Sequence, residues 1–252
     1  MSNGLEILAI QVHIPALDAD RPIMWISWQF RSALLLNACV AAFGLSTNMM
    51  NTLTSDNSDL PGLGDKVFDE FTYFTIQVTW VVLVVCVAYA IRPSRDTPLW
   101  RTLRFVALVG ITMTGICYYA LVASELHYTG IIAVGDVCAH VVSPILYVGT
   151  WLVFGPRGQA RWSGVLAIVG YLIAWTVFTL ARGEFTGLYP YGFTDARANG
   201  YVSVLTMSAV LTIFGAVLGI AALGLDQRFT RRHATTGVNP TTPSVANGKP
   251  HP

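Results

Sequence analysis

Six long apolar segments set the strongest limit on how this chain can fold. A transmembrane helix needs about twenty mostly apolar residues, and each of the six segments reaches that length. They cover residues 24–47, 71–91, 102–123, 131–154, 162–181 and 201–225. Of the 252 residues, 54% are hydrophobic and 12% charged, whereas soluble domains carry about 25% charged residues. We therefore expect an all-α polytopic membrane protein with six transmembrane helices.

Charge in the connecting segments predicts how the helices are oriented, because short cytoplasmic loops are enriched in Lys and Arg. The first-to-second loop is acidic, with a single Lys66, and the third-to-fourth loop has no Lys or Arg. The fifth-to-sixth loop carries Arg182 and Arg197, which mildly oppose the pattern. We expect both termini to be cytoplasmic in a multi-pass protein of the cell membrane. The second-to-third loop, the fourth-to-fifth loop and the chain after the last span are instead rich in arginine. These arginines are Arg92, Arg95, Arg101, Arg104, Arg157, Arg161, Arg228, Arg231 and Arg232.

The chain divides into three parts by composition. Residues 1–23 form an N-terminal segment, residues 24–226 the six-helix domain and residues 227–252 a tail. From His233 onward the tail is rich in Thr, Pro, Asn and Gly and nearly free of apolar residues, so a disordered cytoplasmic tail is predicted. The net charge of +1 gives no indication of a nucleic-acid partner. The sequence does not indicate an oligomeric state.

Ionisable side chains inside a membrane are costly and commonly mark a functional site. His140 is the only histidine well inside a predicted span, and Asp136, four residues earlier, shares its helix face. His140 could act as a general base that Asp136 orients. The alternative is a buried histidine bonded to a neighbouring helix, with Ser143 close by. Glu125 and His127 lie at the outer end of the third span.

A general base needs a nucleophile, and the start of the second span offers several hydroxyl groups. Thr72, Thr75 and Thr79 all lie there, and periodicity alone does not choose among them. Thr75 lies about 6 Å and His140 about 13 Å along their helices from the outer face, a difference within the boundary error. Depth is therefore compatible with a pair formed by Thr75 and His140.

The loop before the last span is rich in aromatic residues. Residues 187–195 include Tyr189 and Tyr191, and amphipathic aromatic side chains prefer the membrane interface. The loop is either an aromatic anchor or a lid over the outer end of the helix bundle.

Three segments carry a resemblance to a known family. They are residues 71–77 (FTYFTIQ), 139–144 (AHVVSP) and 189–195 (YPYGFTD). In this order and within a six-span frame over residues 25–226, the chain resembles the androgen-induced-gene family of six-helix membrane proteins and its bacterial relatives. The animal members are threonine hydrolases that cleave fatty acid esters of hydroxy fatty acids.

The resemblance implies specific roles for residues of this chain. It places the nucleophile on Thr75 and its histidine partner on His140. Gln77 and the tyrosines of the outer loop are candidate oxyanion donors, and no metal or cofactor is needed. The chain departs from the bacterial pattern at Val78-Thr79, where Ser-Asn is expected, and at Gly192, where proline is usual. The implied partner is a membrane lipid or fatty acid ester.

Three other functions are alternatives for a chain of this composition. A retinal-binding protein needs a lysine inside a span, but the only lysines are Lys66 in a loop and Lys249 in the tail. A zinc hydrolase would use Glu125, His127, Asp136 and His140, which supply fewer histidines than such sites usually have. A non-enzymatic lipid-binding or transport protein fits the same six spans without a nucleophile and is the main alternative.

Overall fold

The computed structural model describes residues 23–55, 60, 62–123 and 127–236 of the chain. For residues 23–27 and 232–236 only the backbone is described. The predicted N-terminal segment up to residue 22, the candidate residue Glu125 and the last part of the tail lie outside these ranges. Over the described residues every regular element is helical and no strand occurs.

In the described part of the chain, six helices are long and apolar enough to span a membrane, which confirms the predicted all-α fold with six spans. The first, second and third spans are α1 (Ile23–Thr54), α3 (Phe74–Ile91) and α4 (Pro98–Leu121). The fourth span is made of α5 (Gly130–Val137), a π-helical turn (Cys138–Val142) and α6 (Ser143–Phe154). The fifth and sixth are α7 (Trp162–Thr186) and α9 (Tyr201–Thr236). Two short helices, α2 (Leu63–Glu70) and α8 (Ala196–Asn199), lie in the loops.

Several helices extend beyond the apolar segments that predicted them. Helix α1 continues to Thr54 and α7 to Thr186, because the backbone hydrogen-bond ladder continues through polar turns once a helix is nucleated. Helix α9 continues to Thr236. Residues 227–236, which the sequence analysis places in the tail, are therefore helical. Residues 237–252 lie outside the described ranges.

A short amphipathic helix precedes the second span, and the sequence analysis did not predict it. In α2, the Asp65 side chain accepts a hydrogen bond from the Gly62 backbone N–H at 3.2 Å, which caps the helix start. The chain then turns through residues 71–73, so the second span begins at Phe74 and not at the predicted residue 71. This turn places Thr75 in the first turn of α3, at one end of the bundle. We call this end, which also carries α2 and residues 187–200, the outer end, following the predicted orientation.

Small residues allow the first and fourth spans to approach closely, as is common between transmembrane helices. A Cβ atom at Gly135 of α5 would lie 1.7 Å from Oγ1 of Thr47, and one at Gly44 of α1 would lie 3.1 Å from Cβ of Ala139. Ala139 of this interface lies in the π-helical turn.

The π-helical turn is formed where the fourth span meets a proline. The Ser143 N–H donates to the carbonyl oxygen of Cys138, five residues earlier. Pro144 has no N–H to offer to the carbonyl oxygen of His140, so the regular α-helical ladder cannot pass this point. Gly115 of α4 leaves room for that carbonyl, since a Cβ atom there would lie 3.1 Å from it. Single-turn π-bulges are frequent at functional sites, and His140 lies within this one.

Candidate functional site

A cavity of about 340 Å³ lies in the outer half of the helix bundle. Thr75, Asp136, His140 and Tyr191 all line it, so the two residues of the predicted pair face the same space. Its more polar wall comes mainly from α1 and α2, and its deeper wall, from α4, α7 and α9, carries apolar side chains between hydroxyl groups. The apolar residues include Met113, Leu172 and Leu211. An amphipathic cavity of this kind suits a ligand with a polar group and a hydrocarbon chain.

His140 is held by a carboxylate and by an aromatic ring. Its Nδ1 lies 3.0 Å from Oδ1 of Asp136 and 3.0 Å from the carbonyl oxygen of the same residue. The ring of Tyr118 stacks on the imidazole with a centroid distance of 3.7 Å, and the Tyr118 hydroxyl donates to Oδ2 of Asp136 at 2.7 Å. With Nδ1 bonded to Asp136, Nε2 is the nitrogen that is free to act as a base. An orienting role for Asp136 would require such a contact.

Of the three threonines in this segment, only Thr75 lines the cavity. Thr75 is half-buried and lines the cavity, whereas Thr72 and Thr79 do not. The Thr79 hydroxyl donates to the carbonyl oxygen of Thr75 at 2.7 Å, and that of Thr72 donates to Asp69 at 2.7 Å. Both of these hydroxyl groups are engaged with backbone, and Thr75 is the candidate nucleophile that faces the cavity.

Tyr191 connects the outer loop to Thr75. Its hydroxyl donates to Oγ1 of Thr75 at 3.3 Å and accepts the backbone N–H of the same residue at 3.2 Å. Burial raises the pKa of Tyr191 to about 12, so the phenol keeps its proton at neutral pH and remains a donor. The Thr75 N–H is one of the unsatisfied groups of a helix start, and Tyr191 supplies its partner.

The outer loop has a defined fold that positions Tyr191. Gly187 ends α7 in the left-handed conformation, with φ of 78°, which glycine adopts without strain. The Asp195 carboxylate caps α8 by accepting the N–H groups of Arg197 and Ala198 at 2.8 and 3.0 Å. Side chains of α7 also fix the start of α3, since Nε1 of Trp175 donates to the carbonyl oxygen of Thr72 at 2.9 Å.

The other predicted site residues lie outside the cavity wall. Gln77 is bonded to the carbonyl oxygen of Phe71 at 2.8 Å and to the Tyr171 hydroxyl at 2.6 Å. The Ser143 hydroxyl is buried and donates to Asn37 at 2.8 Å. The structure thus gives Gln77 and Ser143 bonds between helices and does not bring them to Thr75.

The remaining two described candidates are also away from the proposed pair. His127 is exposed and does not line the cavity. The ring of Tyr189 covers Gly183 of α7, and its buried hydroxyl has no hydrogen-bond partner among the described residues. Those residues contain no group of three or more His, Cys, Asp or Glu arranged to hold a metal ion.

Sequence reasoning missed an ion pair beneath the outer loop. Arg182 was assigned to a loop, yet it lies buried in α7 with Nη2 2.5 Å from Oδ1 of Asp69. Nη1 of Arg182 also contacts the Leu188 carbonyl oxygen at 3.3 Å. The pair ties α2 to α7 and to the outer loop, and it neutralises one of the two arginines that opposed the predicted orientation. A hydropathy profile gives no signal for such a pair, because its two members are 113 residues apart.

Two further cavity residues, Tyr118 and Glu70, were also missed. Tyr118 resembles any aromatic residue of an apolar helix, and only its contacts with His140 reveal it. Glu70 was counted only as part of the acidic first-to-second loop, but its carboxyl group is buried in the cavity wall. Burial raises the pKa of Glu70, the hydrogen bond from Thr52 lowers it and the charge of Asp69 raises it.

No hydrogen bond joins Thr75 to His140 among the described residues. Each is held by its own partner, Tyr191 for Thr75 and Asp136 for His140. Catalytic hydrogen bonds often tighten only when substrate is bound. Comparisons of the chain with models of known protein families, with curated proteins and with solved structures found no match. The family resemblance therefore rests on the three segments quoted above.

Proposed function

We propose that this protein is an intramembrane hydrolase of long-chain carboxylic esters, with Thr75 as nucleophile and His140 as general base. The observation that carries the proposal is the single cavity that both residues line, with Nδ1 of His140 held by Asp136. A threonine hydroxyl is a weak nucleophile at its own pKa, so it needs a base, and an oriented imidazole is the most common one.

In the proposed reaction, Nε2 of His140 takes the proton of the Thr75 hydroxyl, directly or through one water molecule. Oγ1 then attacks the ester carbonyl carbon, and the bond from that carbon to the alcohol oxygen breaks. The protonated imidazole returns its proton to the leaving alcohol, and an acyl-threonine remains. Water, deprotonated by His140, hydrolyses the acyl-threonine to a carboxylic acid and restores the Thr75 hydroxyl. Atoms balance without a metal or another co-reactant.

Tyr191 is the proposed oxyanion donor. Its hydroxyl lies 3.3 Å from Oγ1 of Thr75, beside the atom that attacks. Once that oxygen has bonded to the carbonyl carbon, the phenol is free to donate to the negative oxygen that forms. Oxyanion donors of this kind are worth about 10²- to 10³-fold in rate.

The proposed substrate is a lipid ester that reaches the cavity from the bilayer. The resemblance extends this class to fatty acid esters of hydroxy fatty acids. A long hydrocarbon chain on one side of the ester could contact the apolar deep wall, which includes Met113, Leu172 and Leu211. Short water-soluble esters should turn over poorly, because they leave this wall uncovered.

A lipid-binding or transport function is the second candidate. The absence of a direct bond between Thr75 and His140 favours it, since binding needs the cavity and no nucleophile. The two candidates differ in whether a hydroxyl group is activated.

A fluorophosphonate probe tests the proposal, because it reacts with an activated hydroxyl and not with a lipid-binding surface. We expect labelling and hydrolysis of long-chain esters by the purified protein. Both should be lost in Thr75→Ala and retained in Thr79→Ala, which removes a hydroxyl one helical turn away. Full ester hydrolysis by purified Thr75→Ala would overturn the assignment of the nucleophile. Absence of both labelling and hydrolysis in the wild type would favour the binding function.

A further inference from the structure

The carboxyl group of Glu70 is buried in the cavity wall, and no positively charged side chain pairs with it among the described residues. Only 6% of the residue is exposed. Oε2 accepts the Thr52 hydroxyl at 2.5 Å, and Oε1 is buried with no hydrogen-bond partner among the described residues. An unpaired carboxylate in such a place is costly, and native structures seldom keep one without a reason.

The other two carboxyl groups of the cavity have partners. Asp69 is paired with Arg182, and Asp136 contacts His140 and Tyr118. Lys and Arg are absent from the described residues that line the cavity. The cavity wall thus has an excess of negative charge, and Glu70 is the carboxyl group to which no protein cation is assigned.

Two aromatic side chains line the same cavity as Glu70. They are Tyr73 and Tyr128. Burial is the main cause of the raised pKa of each phenol, and the charge of Glu70 raises it further. A carboxylate and aromatic rings that line one cavity can together recognise an organic ammonium group.

We propose that Glu70 selects a substrate with an ammonium group at its polar end. The ammonium would lie beside the Glu70 side chain at the cavity wall, while the hydrocarbon chain occupies the deep apolar wall and the ester lies between them at Thr75. The part of this inference that concerns hydrolysis rests on the proposed function. It moves the substrate class away from the fatty acid esters of hydroxy fatty acids that the resemblance implies, because their ionised carboxylate would meet the like charge of Glu70 at this position.

Three matched esters test the selection. They share one long acyl chain and one alcohol chain and differ only in the end group of the alcohol, which is trimethylammonium, hydroxyl or carboxylate. Each ester is made with a short series of spacer lengths in the alcohol chain, and all are presented in an uncharged detergent. We expect kcat/KM for the ammonium ester to exceed that for the hydroxyl ester by about tenfold or more, with the carboxylate ester lowest. Equal values for the three esters, or a preference for the carboxylate, would overturn the proposal.

Two variants assign the preference to Glu70. Glu70→Gln keeps the shape of the side chain and removes its charge, so the preference for the ammonium ester over the hydroxyl ester should disappear. Glu184→Gln makes the same change at an exposed carboxylate whose partner is the Tyr201 hydroxyl, at 2.6 Å, and should keep the wild-type preference. An unchanged preference in Glu70→Gln would contradict the role of this residue.

Binding separates this inference from the proposed hydrolysis. The ether analogues of the ammonium and hydroxyl compounds cannot be cleaved, and calorimetric titration of the purified protein measures their Kd. We expect wild type and Thr75→Ala to bind the ammonium ether about tenfold more tightly than the hydroxyl ether, and Glu70→Gln to bind both alike. If no ester is hydrolysed but this pattern is found, the Glu70 site stands and the hydrolase function fails. Equal binding of the two ethers by the wild type overturns the Glu70 site.

Discussion

The hydroxyl of Tyr191 lies 3.3 Å from Oγ1 of Thr75, although 116 residues separate them in the chain. Tyr191 belongs to the outer loop before the last span, and Thr75 to the first turn of the second span. The contact joins the outer loop to the proposed nucleophile at the wall of the cavity that both residues line.

Removing the Tyr191 hydroxyl should slow the chemical step. We expect Tyr191→Phe to lower kcat for a long-chain ester by about 10²-fold, as the loss of an oxyanion donor does, with little change in KM. Tyr189→Phe is the matched control, because the hydroxyl it removes has no hydrogen-bond partner among the described residues. Steady-state kinetics of both variants provides the measurement. Equal losses in the two variants would argue against the donor role.

The pair formed by Asp136 and His140 predicts unequal effects of two substitutions. His140→Ala removes the base and should lower kcat/KM by about 10²- to 10⁴-fold. Asp136→Asn should cost only about tenfold, the scale of one charge-assisted hydrogen bond. The loss is smaller because the carbonyl oxygen of residue 136 also lies 3.0 Å from Nδ1 and can keep the imidazole in the same tautomer.

A double variant tests whether Thr75 and His140 act as a unit. Thr75→Ala combined with His140→Ala should be little worse than either single change, since groups that act together are not additive. Effects that multiply in the double variant would mean that the two residues work in separate steps.

Gly183 should be essential for the position of the outer loop. A Cβ atom there would lie 2.0 Å from the ring of Tyr189, so Gly183→Ala must displace that ring and, with it, the loop that carries Tyr191. We expect at least a tenfold loss of kcat/KM, the cost of about 1.4 kcal/mol of positioning, and a lower Tm. Gly170→Ala lies on the same helix with no atom within 4 Å of the added carbon. That variant should retain activity and Tm, and a loss in it would point to α7 as a whole.

The number and type of the spans followed from the sequence because hydropathy over twenty residues is a strong signal, and the membrane leaves few alternatives. Helix ends were harder to predict, since α1, α7 and α9 continue through polar turns whose hydrogen bonds no hydropathy profile records. The short helix α2 was missed for the same reason, being charged and only eight residues long.

The candidate pair was predictable only in part. His140 and Asp136 could be placed on one helix face from their spacing, and the structure brings them into contact. Choosing Thr75 over Thr72 and Thr79 required either the family resemblance or the rotation of α3 about its axis, which the turn at residues 71–73 sets. Contacts between distant segments, such as Tyr191 with Thr75, depend on loop conformation and have no local signature.

The predicted orientation can be tested independently of the site. Reporter fusions at the C-terminus and in the first-to-second loop near Asn57 should report opposite sides of the membrane. Five spans, an odd number, lie between the two points. The arginine distribution further predicts that the C-terminal reporter is cytoplasmic. Asn57 lies outside the described residues. The same location for both reporters would contradict the six-span topology.

The buried carboxyl group of Glu70 should make stability depend on pH. Its pKa is raised from the ordinary value of 4.5 in the folded protein, so between 4.5 and the raised value the folded state holds more protons than the unfolded state. The free energy of unfolding therefore falls as pH rises through this window and levels off above it.

Glu70→Gln has no proton to lose and lacks this contribution. The Tm of Glu70→Gln relative to wild type should accordingly be higher at neutral pH than at about pH 4.5, when both are measured in the same uncharged detergent. Comparing the two proteins cancels the contributions of the carboxyl groups that both retain, and Glu184→Gln controls for the loss of an exposed carboxylate. A Tm difference that does not change with pH would mean that Glu70 titrates alike in the folded and unfolded chain. Addition of the ammonium ether should stabilise the wild type more at neutral pH than at about pH 4.5, because the ammonium pairs with the ionised form of the carboxyl group.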